Sequence, residues 1–286
     1  GLDGAEDVEA VDDHSEGSAD DASLADDGAG SDDAATGEDG SGTCTTPDSL
    51  APLWGNGGFA ITGNWSWARM AVRVTGCGGV PVVGASVSWE VLDTIGVMSE
   101  DITMPPSTTL TTSSDGEGVA RAVFRCPSSM SNPSDSADPG RVRIVSGGRE
   151  LEYLVTVFNS CPIAGCSSSP PMSPQMLLVV PEGRDLGTLR VGDTVAGGIQ
   201  VQVANATGWE MGRPAPNIGV RIVDPADGGA DFVPSPALRC VGEAGIVLTD
   251  ATGLATCDLQ VLGAGASARV LVGENTYWDV RFTIGP

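Results

Sequence analysis

The sequence predicts an all-β protein with two tandem β-sandwich domains after a disordered acidic tail. Three observations support this fold class: short runs in which apolar and polar residues alternate, many turn-forming residues, and an internal repeat. The 286-residue chain contains 40 glycines and 19 prolines, and many short strands joined by Gly/Pro-rich turns are typical of a sandwich or barrel. This length gives room for two domains of ordinary size.

Alternating runs define the strands of the first block. Between residues 67 and 74, Ala68, Met70, Val72 and Val74 fall on one face of an extended chain, and a period of two predicts a strand with one buried face. Turn signals separate the runs, as expected for a sandwich. The five runs of this block are 67–74, 85–91, 119–124, 142–144 and 151–157.

A second block repeats the first. Its runs come in the same order, and two pairs of matching residues give the period: Pro81 and Pro214 lie 133 residues apart, and Asp115 and Asp250 lie 135 apart. Two copies indicate tandem domains rather than a solenoid, which stacks at least three repeats. The five runs of this block are 199–203, 220–222, 255–261, 268–272 and 278–284.

Two segments lack any such pattern. Residues 1–43 hold 15 acidic residues and no basic one, with too few apolar side chains to offset the entropy of ordering, so a disordered spacer is expected over 1–44. The stretch 161–175 is rich in proline and serine and predicts a semi-rigid linker. The two domains are therefore expected at 45–160 and 176–286.

The charge of the chain excludes two classes of partner. A net charge of −24 repels the backbone of nucleic acids and the surface of anionic membranes. No apolar run reaches the roughly 18 residues of a transmembrane helix. Because the chain starts at Gly1 without a methionine, we expect a removed leader peptide and a secreted protein.

Seven cysteines predict an oxidising compartment. None lies in a CxxC motif and the chain has one histidine, so no metal site and no other cofactor is expected, and paired disulfides suit a secreted protein. The odd count leaves Cys44 free or bonded to another molecule. The expected pairs are Cys77 with Cys126, Cys161 with Cys166, and Cys240 with Cys257.

Two short motifs occur once in each block. A Gly-x-Pro turn leads into a strand at Gly79–Val87 and at Gly212–Val220, and an acidic turn that ends in a small residue follows at Ser114–Ala120 and at Thr249–Ala255. Proline stiffens the first turn by fixing φ, and glycine permits positive φ. The carboxylate of the second turn can accept hydrogen bonds from amides two residues further on. Both motifs are therefore interpreted as parts of the scaffold.

This pair of motifs resembles the bacterial immunoglobulin-like repeats of the invasin and intimin type (Big-1-like). The resemblance covers about residues 50–158 and 176–285. It implies immunoglobulin-like β-sandwiches that stand off a bacterial envelope, where they space an adhesive tip or bind partners themselves. The acidic tail also resembles the spacer after the lipidated cysteine of bacterial lipoproteins, and we hypothesise that such a cysteine preceded Gly1 and anchors the protein to the outer membrane.

The residue inventory argues against catalysis. The one histidine, His14, lies in the tail, and the chain contains no lysine, so Ser-His-Asp, Cys-His and Ser-Lys arrangements are excluded from both domains. Glu90, Glu152 and Asp279 fall on outward-facing positions, which is typical of a solvated face. We expect no enzyme and no catalytic residue.

Tryptophans are the remaining candidates for binding. Trp54, Trp65 and Trp67 lie near the start of the first domain, and Trp209 precedes the Gly212 turn of the second. Tryptophans on loops stack on sugar rings or anchor a protein partner, whereas at the pole of a domain they commonly cap the core.

The sequence thus predicts an extracellular, non-catalytic protein of the bacterial cell surface that binds protein or glycan partners through its immunoglobulin-like domains. A second hypothesis is a subunit of an extracellular filament or envelope layer that assembles by strand addition, with Cys44 cross-linking the subunits. Concentration-dependent polymerisation favours the second hypothesis. A discrete monomer that binds cells or glycans favours the first.

Overall fold

A computed structural model shows two β-sandwiches in succession and confirms the predicted fold class. The structure describes residues 45–63, 67–127, 138–158, 174–205, 212–226, 233–274 and 276–286. The expected tail lies outside these residues, as does the expected linker except for residues 174 and 175. Gln175, placed in the linker from the sequence, is the first residue of a strand, because its backbone already pairs with that of Ala204.

Nine strands form the described part of the first sandwich. They are β1 (Ser49–Trp54), β2 (Gly58–Ile61), β3 (Ala68–Thr75), β4 (Ser86–Val91), β5 (Val97–Ser99), β6 (Thr109–Ser113), β7 (Val119–Arg125), β8 (Asp138–Ser146) and β9 (Arg149–Phe158). One sheet has the order β1-β3-β7-β5 and the other the order β2-β9-β8-β4-β6. All neighbours are antiparallel except β2 and β9, which run parallel.

The second sandwich repeats this topology strand for strand. Its strands are β10 (Gln175–Val180), β11 (Asp185–Leu189), β12 (Thr194–Ala204), β13 (Gly219–Val223), β14 (Leu238–Cys240), β15 (Ile246–Leu248), β16 (Leu254–Val261), β17 (Ser267–Val272) and β18 (Thr276–Ile284). The sheet orders are β10-β12-β16-β14 and β11-β18-β17-β13-β15. Adding nine to each strand number of the first sandwich gives the second, so the sequence repeat is also a repeat of the fold.

The ten runs predicted from the sequence are the ten central strands of the four sheets. The eight strands that sequence reasoning missed, β1, β2, β5, β6, β10, β11, β14 and β15, are the eight sheet edges. Central strands pair on both sides and bury one face along their whole length, which imposes clear alternation. Most edge strands are shorter and pair on one side only, so their sequences carry a weaker signal.

Each sandwich closes around its own apolar core. In the first, Trp89 is fully buried and its indole N–H donates to the Thr112 hydroxyl at 2.9 Å. Tyr153 is also buried, and its hydroxyl donates to the Ala71 carbonyl at 2.8 Å. The polar ends of both aromatic side chains are therefore satisfied.

Within the described residues, no helix has the length and apolar character needed to cross a bilayer.

Candidate functional site

The acidic turns have the hydrogen bonds that the sequence predicted. Asp115 accepts the amides of Glu117 and Val119, both at 2.9 Å. Asp250 accepts the amides of Thr252 at 2.7 Å and Leu254 at 3.2 Å. Because each carboxylate is used inside its own turn, the structure gives both aspartates a scaffold role.

These contacts also shift the acidity of the two aspartates. The Thr252 hydroxyl, followed by the Leu254 and Thr252 amides, holds the pKa of Asp250 below its ordinary value. For Asp115, partial burial acts to raise the pKa, but hydrogen bonds from Arg121 and from the turn amides together lower it. Hydrogen bonds to the charged form favour ionisation in both cases.

The glycines of these turns are required by both conformation and space. Gly118 has φ 73° and Gly253 has φ 74°, in the left-handed region that side chains disfavour. A Cβ on Gly118 would lie 2.5 Å from the Val74 carbonyl oxygen. A Cβ on Gly253 would meet the Val203 carbonyl oxygen at the equivalent place. The two turns therefore press directly on the neighbouring strand.

A buried hydroxyl joins the two motifs, a role that sequence reasoning missed. The Thr249 hydroxyl accepts the Ile218 amide at 2.8 Å and donates to the Ala215 carbonyl at 2.7 Å. Ser114 makes the same pair of bonds in the first sandwich, to the Ala85 amide and the Val82 carbonyl. The signal was present in the sequence, because a hydroxyl residue precedes the aspartate in both copies.

The disulfide between Cys240 and Cys257 is present, with a Cα–Cα distance of 5.2 Å. Cys240 lies in β14 opposite Leu259 of β16, and Cys257 is two residues from Leu259 on the same inward face. The bond therefore joins neighbouring strands of one sheet. Cys161 and Cys166, the other expected local pair, lie outside the described residues.

The expected bond between Cys77 and Cys126 is wrong. Cys77 is disulfide-bonded to a partner outside the described residues, whereas Cys126 carries a buried thiol whose pKa is raised by burial to about 11. β3 and β7 pair Arg73 with Val119 at one end and Ala68 with Phe124 at the other. Cys77 follows the first end and Cys126 the second, so they are separated by on the order of 20 Å of strand. A disulfide needs Cα atoms within about 7 Å.

Two of the four candidate tryptophans lie in the described residues and line one groove. Trp54 ends β1 with only 8% of its surface exposed, packed with Ala71 and Val119 on the outer face of the sheet. Trp67 is half-buried just before β3. Trp65 and Trp209 lie outside the described residues.

The groove, which we call the tryptophan groove, encloses about 250 Å³. The surface of the groove is mostly apolar, with four charged residues among those that line it. The ten lining residues are Trp54, Trp67, Arg69, Met70, Glu100, Asp101, Ile102, Arg121, Ala122 and Val123. The guanidinium of Arg121 lies 5.6 Å from the Trp54 ring centroid and also pairs with Asp115. One ring is thus already covered by a cation, which leaves Trp67 as the more available aromatic surface.

A carboxylate at the rim of this groove is used by its own loop. Asp101 accepts the amide of Thr103 at 2.6 Å, the hydroxyl of the same residue at 2.7 Å and the amide of Met104 at 3.1 Å. The hydrogen bond from the Thr103 hydroxyl makes the largest contribution to lowering the pKa of Asp101. The three hydrogen bonds thereby brace the loop beside the groove and favour the ionised form of its carboxylate.

A buried ion pair lies where the two sandwiches meet. Arg221 of β13 and Glu274 of the turn between β17 and β18 are 2.5 Å apart, and each side chain is only 6% exposed. Both also bind the first sandwich: Arg221 donates to the Leu53 carbonyl at 3.0 Å, and Glu274 accepts the Gly55 amide at 3.3 Å. Burial raises the pKa of Glu274, although the charge of Arg221 opposes that shift.

Apolar residues of the first sandwich complete this junction. Phe59, Ile61 and Phe158 belong to the same buried cluster as the core of the second sandwich, and the two phenylalanine rings meet edge to face at 5.8 Å. The backbones approach closely as well, since the Gly219 amide donates to the Gly57 carbonyl at 2.8 Å. Three apolar side chains of the first sandwich thus extend the core of the second sandwich across the junction.

The ion pair belongs to the junction and not to the repeated fold. Ser88 occupies the position of Arg221 in the first sandwich, because Trp89 pairs with Ile144 as Ile222 pairs with Val270. Gly148 occupies the position of Glu274. The residues that precede them are equivalent glycines, with φ 56° at Gly147 and φ 57° at Gly273. The two charges are present only in the copy whose pole contacts another sandwich.

The described residues contain no cluster of three or more histidine, cysteine, aspartate or glutamate side chains suited to a metal ion. No family model and no curated protein matches the sequence.

Solved structures resemble the chain loosely. The integrin-binding bacterial protein invasin is 15% identical with a TM-score of 0.29, over 83% of this chain and 39% of that structure. The adhesin InvE of Yersinia pseudotuberculosis is 13% identical with a TM-score of 0.26, over 82% of this chain and 58% of that structure. Domains 4–9 of the surface layer protein SbsC are 14% identical with a TM-score of 0.29, over 84% of this chain and 32% of that structure.

An I9–I11 tandem of titin scores similarly, with 12% identity, a TM-score of 0.25 and coverage of 83% of this chain and 66% of that structure. The chain therefore spans between a third and two-thirds of these four structures. Because these scores do not separate adhesins from titin, they transfer no function. Strand order and register alone establish that the chain is a tandem of two immunoglobulin-like β-sandwiches.

Proposed function

We propose that this chain is a non-catalytic structural and adhesive protein of a bacterial cell surface. In this proposal the two sandwiches act as one stiff unit that presents the tryptophan groove to a protein or glycan partner. The junction is the observation that carries the proposal, because a buried ion pair and an apolar cluster that crosses the junction suit a part that must hold its geometry under load. The Cys240–Cys257 bond supports an extracellular location.

The tryptophan groove supports the adhesive part of the proposal. It combines the half-buried ring of Trp67 with charged groups at the rim, a combination that suits both the face of a sugar ring and the side chain of a protein anchor. Its loop is held by the Asp101 hydrogen bonds, so little ordering entropy is lost on binding.

Binding is tested with the full chain on a glycan array and on intact host and bacterial cells. Trp67→Ala should weaken binding by about 30-fold, the effect of losing an interface anchor of about 2 kcal/mol. Tyr277→Ala, which removes a 51% exposed aromatic from the second sandwich, is the matched control and should bind normally. Absence of binding to every surface, or equal loss in both variants, would refute an adhesive groove.

The structural part has its own test. NMR relaxation of the full chain should give both sandwiches the same overall tumbling time, because they tumble as one body. Separate tumbling times would contradict the stiff unit whatever the binding result. Antibodies raised against the sandwiches should also label intact cells of the producing organism, and labelling confined to lysed cells would contradict the surface location.

A further inference from the structure

The edge strand β10 presents an open, apolar backbone edge. Among the described strands it pairs only with β12, so one side of its backbone has no described strand beside it. Its sequence, Gln-Met-Leu-Leu-Val-Val, contains no charge, proline or glycine. Leu177 and Val179 on its outer face are 61% and 41% exposed. Natural sheets normally protect such edges with charges, prolines or covering segments, because an open edge pairs with another strand.

The equivalent edge of the first sandwich is protected, which makes the openness of β10 specific. β1 and β10 share the same register and the same bulge, so Pro52 corresponds to Leu178 and Leu53 to Val179. Pro52 has no N–H to offer a partner. The Leu53 carbonyl is already bound by Arg221 across the junction. β10 retains the bulge, which is present in both copies, and lacks the other two protections.

A groove of about 250 Å³ runs beside this edge and reaches the opposite sheet. It is lined by Met176, Leu177, Leu178, Pro181, Gly183, Arg184 and Trp278. Trp278 is half-buried and lies in the part of β18 that β11 does not cover, since β11 pairs only with Arg281, Thr283 and Ile284. An added strand would therefore find both backbone partners and apolar surface.

The charge distribution identifies the occupant. The chain carries a net charge of −24, so two copies repel unless they meet through uncharged surface. β10 is such a surface, and its outer-face neighbours on β12 are Gln200 and Gln202. An antiparallel pair of identical uncharged strands is self-complementary about a two-fold axis.

We propose that β10 pairs with the β10 of a second copy, joining two four-stranded sheets into one of eight strands. This inference goes beyond the proposed function and rests on different residues from the tryptophan groove. It also names β10 as the sheet edge at which the strand addition considered from the sequence would occur. Cys44 has no part in this contact. The result is a dimer held by main-chain hydrogen bonds and by contact between the exposed side chains of Leu177 and Val179.

Sedimentation of the full chain over a concentration series, with reductant present, tests the proposal. The wild type should pass from monomer to dimer, and Leu177→Lys should weaken that dimer at least tenfold, because it sets like charges across the two-fold axis. Val83→Lys adds the same charge at a 65% exposed valine of the first sandwich and should dimerise as the wild type does. A wild type that stays monomeric, or a dimer that Leu177→Lys leaves intact, would overturn the proposal.

A second readout locates the contact. A spin label on Leu177→Cys should report an inter-copy distance on the order of 10–20 Å, since paired strands lie about 5 Å apart and the labels add length. The same label on Val83→Cys should report no short distance. A short distance from position 83, or none from position 177, would place the contact elsewhere and refute pairing through β10.

Discussion

Removing one charge from the junction should destabilise the whole molecule. Arg221 and Glu274 are each 6% exposed and form an ion pair with each other. Each also forms a hydrogen bond with a main-chain group of the first sandwich. Arg221→Gln leaves Glu274 buried beside an uncharged amide, and Glu274→Gln leaves the guanidinium in the same position. Breaking a buried ion pair from one side costs about 3–5 kcal/mol, because the remaining charge is desolvated without compensation.

The double variant should cost much less than the sum of the two single variants. With glutamine at both positions no buried charge remains, and two amides can still exchange a hydrogen bond. We therefore expect a coupling energy of about 2–3 kcal/mol between Arg221 and Glu274, the upper part of the range seen for residues in direct contact. Additive effects would mean that the two charges do not compensate each other.

The pH dependence follows from the raised pKa of Glu274. Between the ordinary glutamate pKa and the raised value, the folded state binds more protons than the unfolded state, so the free energy of unfolding falls as pH rises through that window. Glu274→Gln should remove this slope. The pKa values of Asp101, Asp115 and Asp250 are lowered in the folded state. Their contribution to the free energy of unfolding is therefore present above the ordinary aspartate pKa and is lost as pH falls from that value through the lowered one.

Calorimetry of the full chain separates these effects. Because the sandwiches share a buried cluster, the wild type should unfold in one transition. Arg221→Gln should lower the transition temperature and split it in two as the sandwiches uncouple. Arg269→Gln, which breaks an ion pair with Asp279 whose carboxylate side is 57% exposed, is the control and should cost no more than about 1 kcal/mol. Two transitions in the wild type, or equal costs for the two arginines, would refute the reasoning.

Three further predictions test the repeated scaffold by denaturant unfolding. Gly253→Ala should cost at least about 2 kcal/mol, since a Cβ there meets a backbone oxygen, whereas Gly212→Ala, at φ 83° with open space around it, should cost about 1 kcal/mol; equal costs would contradict the close approach. Thr249→Val should cost about 2–4 kcal/mol by leaving a buried amide and a buried carbonyl without their partner, and Thr249→Ser should be nearly neutral. Met98→Cys with Ala122→Cys copies the register of the disulfide in the second sandwich and should add about 2–4 kcal/mol when oxidised; an unchanged gel mobility on reduction would show that the bond does not form.

The repeat motifs were predictable because their chemistry is local. Asp250 accepts amides two and four residues away, and Gly253 adopts the positive φ that its turn requires. The Cys240–Cys257 bond was predictable for the same reason, since one strand and its turn separate the two residues. Sequence reasoning assigned no role to Thr249, although its hydroxyl is the group that ties the turn to the preceding motif.

The candidate site was less predictable because exposure depends on distant residues. The sequence predicts Trp54 as a binding aromatic, but the guanidinium of Arg121, which is distant in the sequence, lies over its ring. The Cys77–Cys126 bond was expected because both residues are in or beside turns, but strand register puts those turns at opposite ends of a sheet. Proximity to a turn does not tell which pole of a sandwich the turn occupies.

The sequence alone determined the all-β class, the duplication and the ten central strands, because alternation and turn chemistry act over a few residues. Only the tertiary structure decided which surfaces are covered. Glu274 accepts the amide of Gly55, which is 219 positions away in the sequence. The carbonyl of Leu53 in β1 is bound by the guanidinium of Arg221, whereas the corresponding position in β10 has no such partner among the described residues. Such contacts depend on how two folded sandwiches meet, and an alternating pattern carries no information about that meeting.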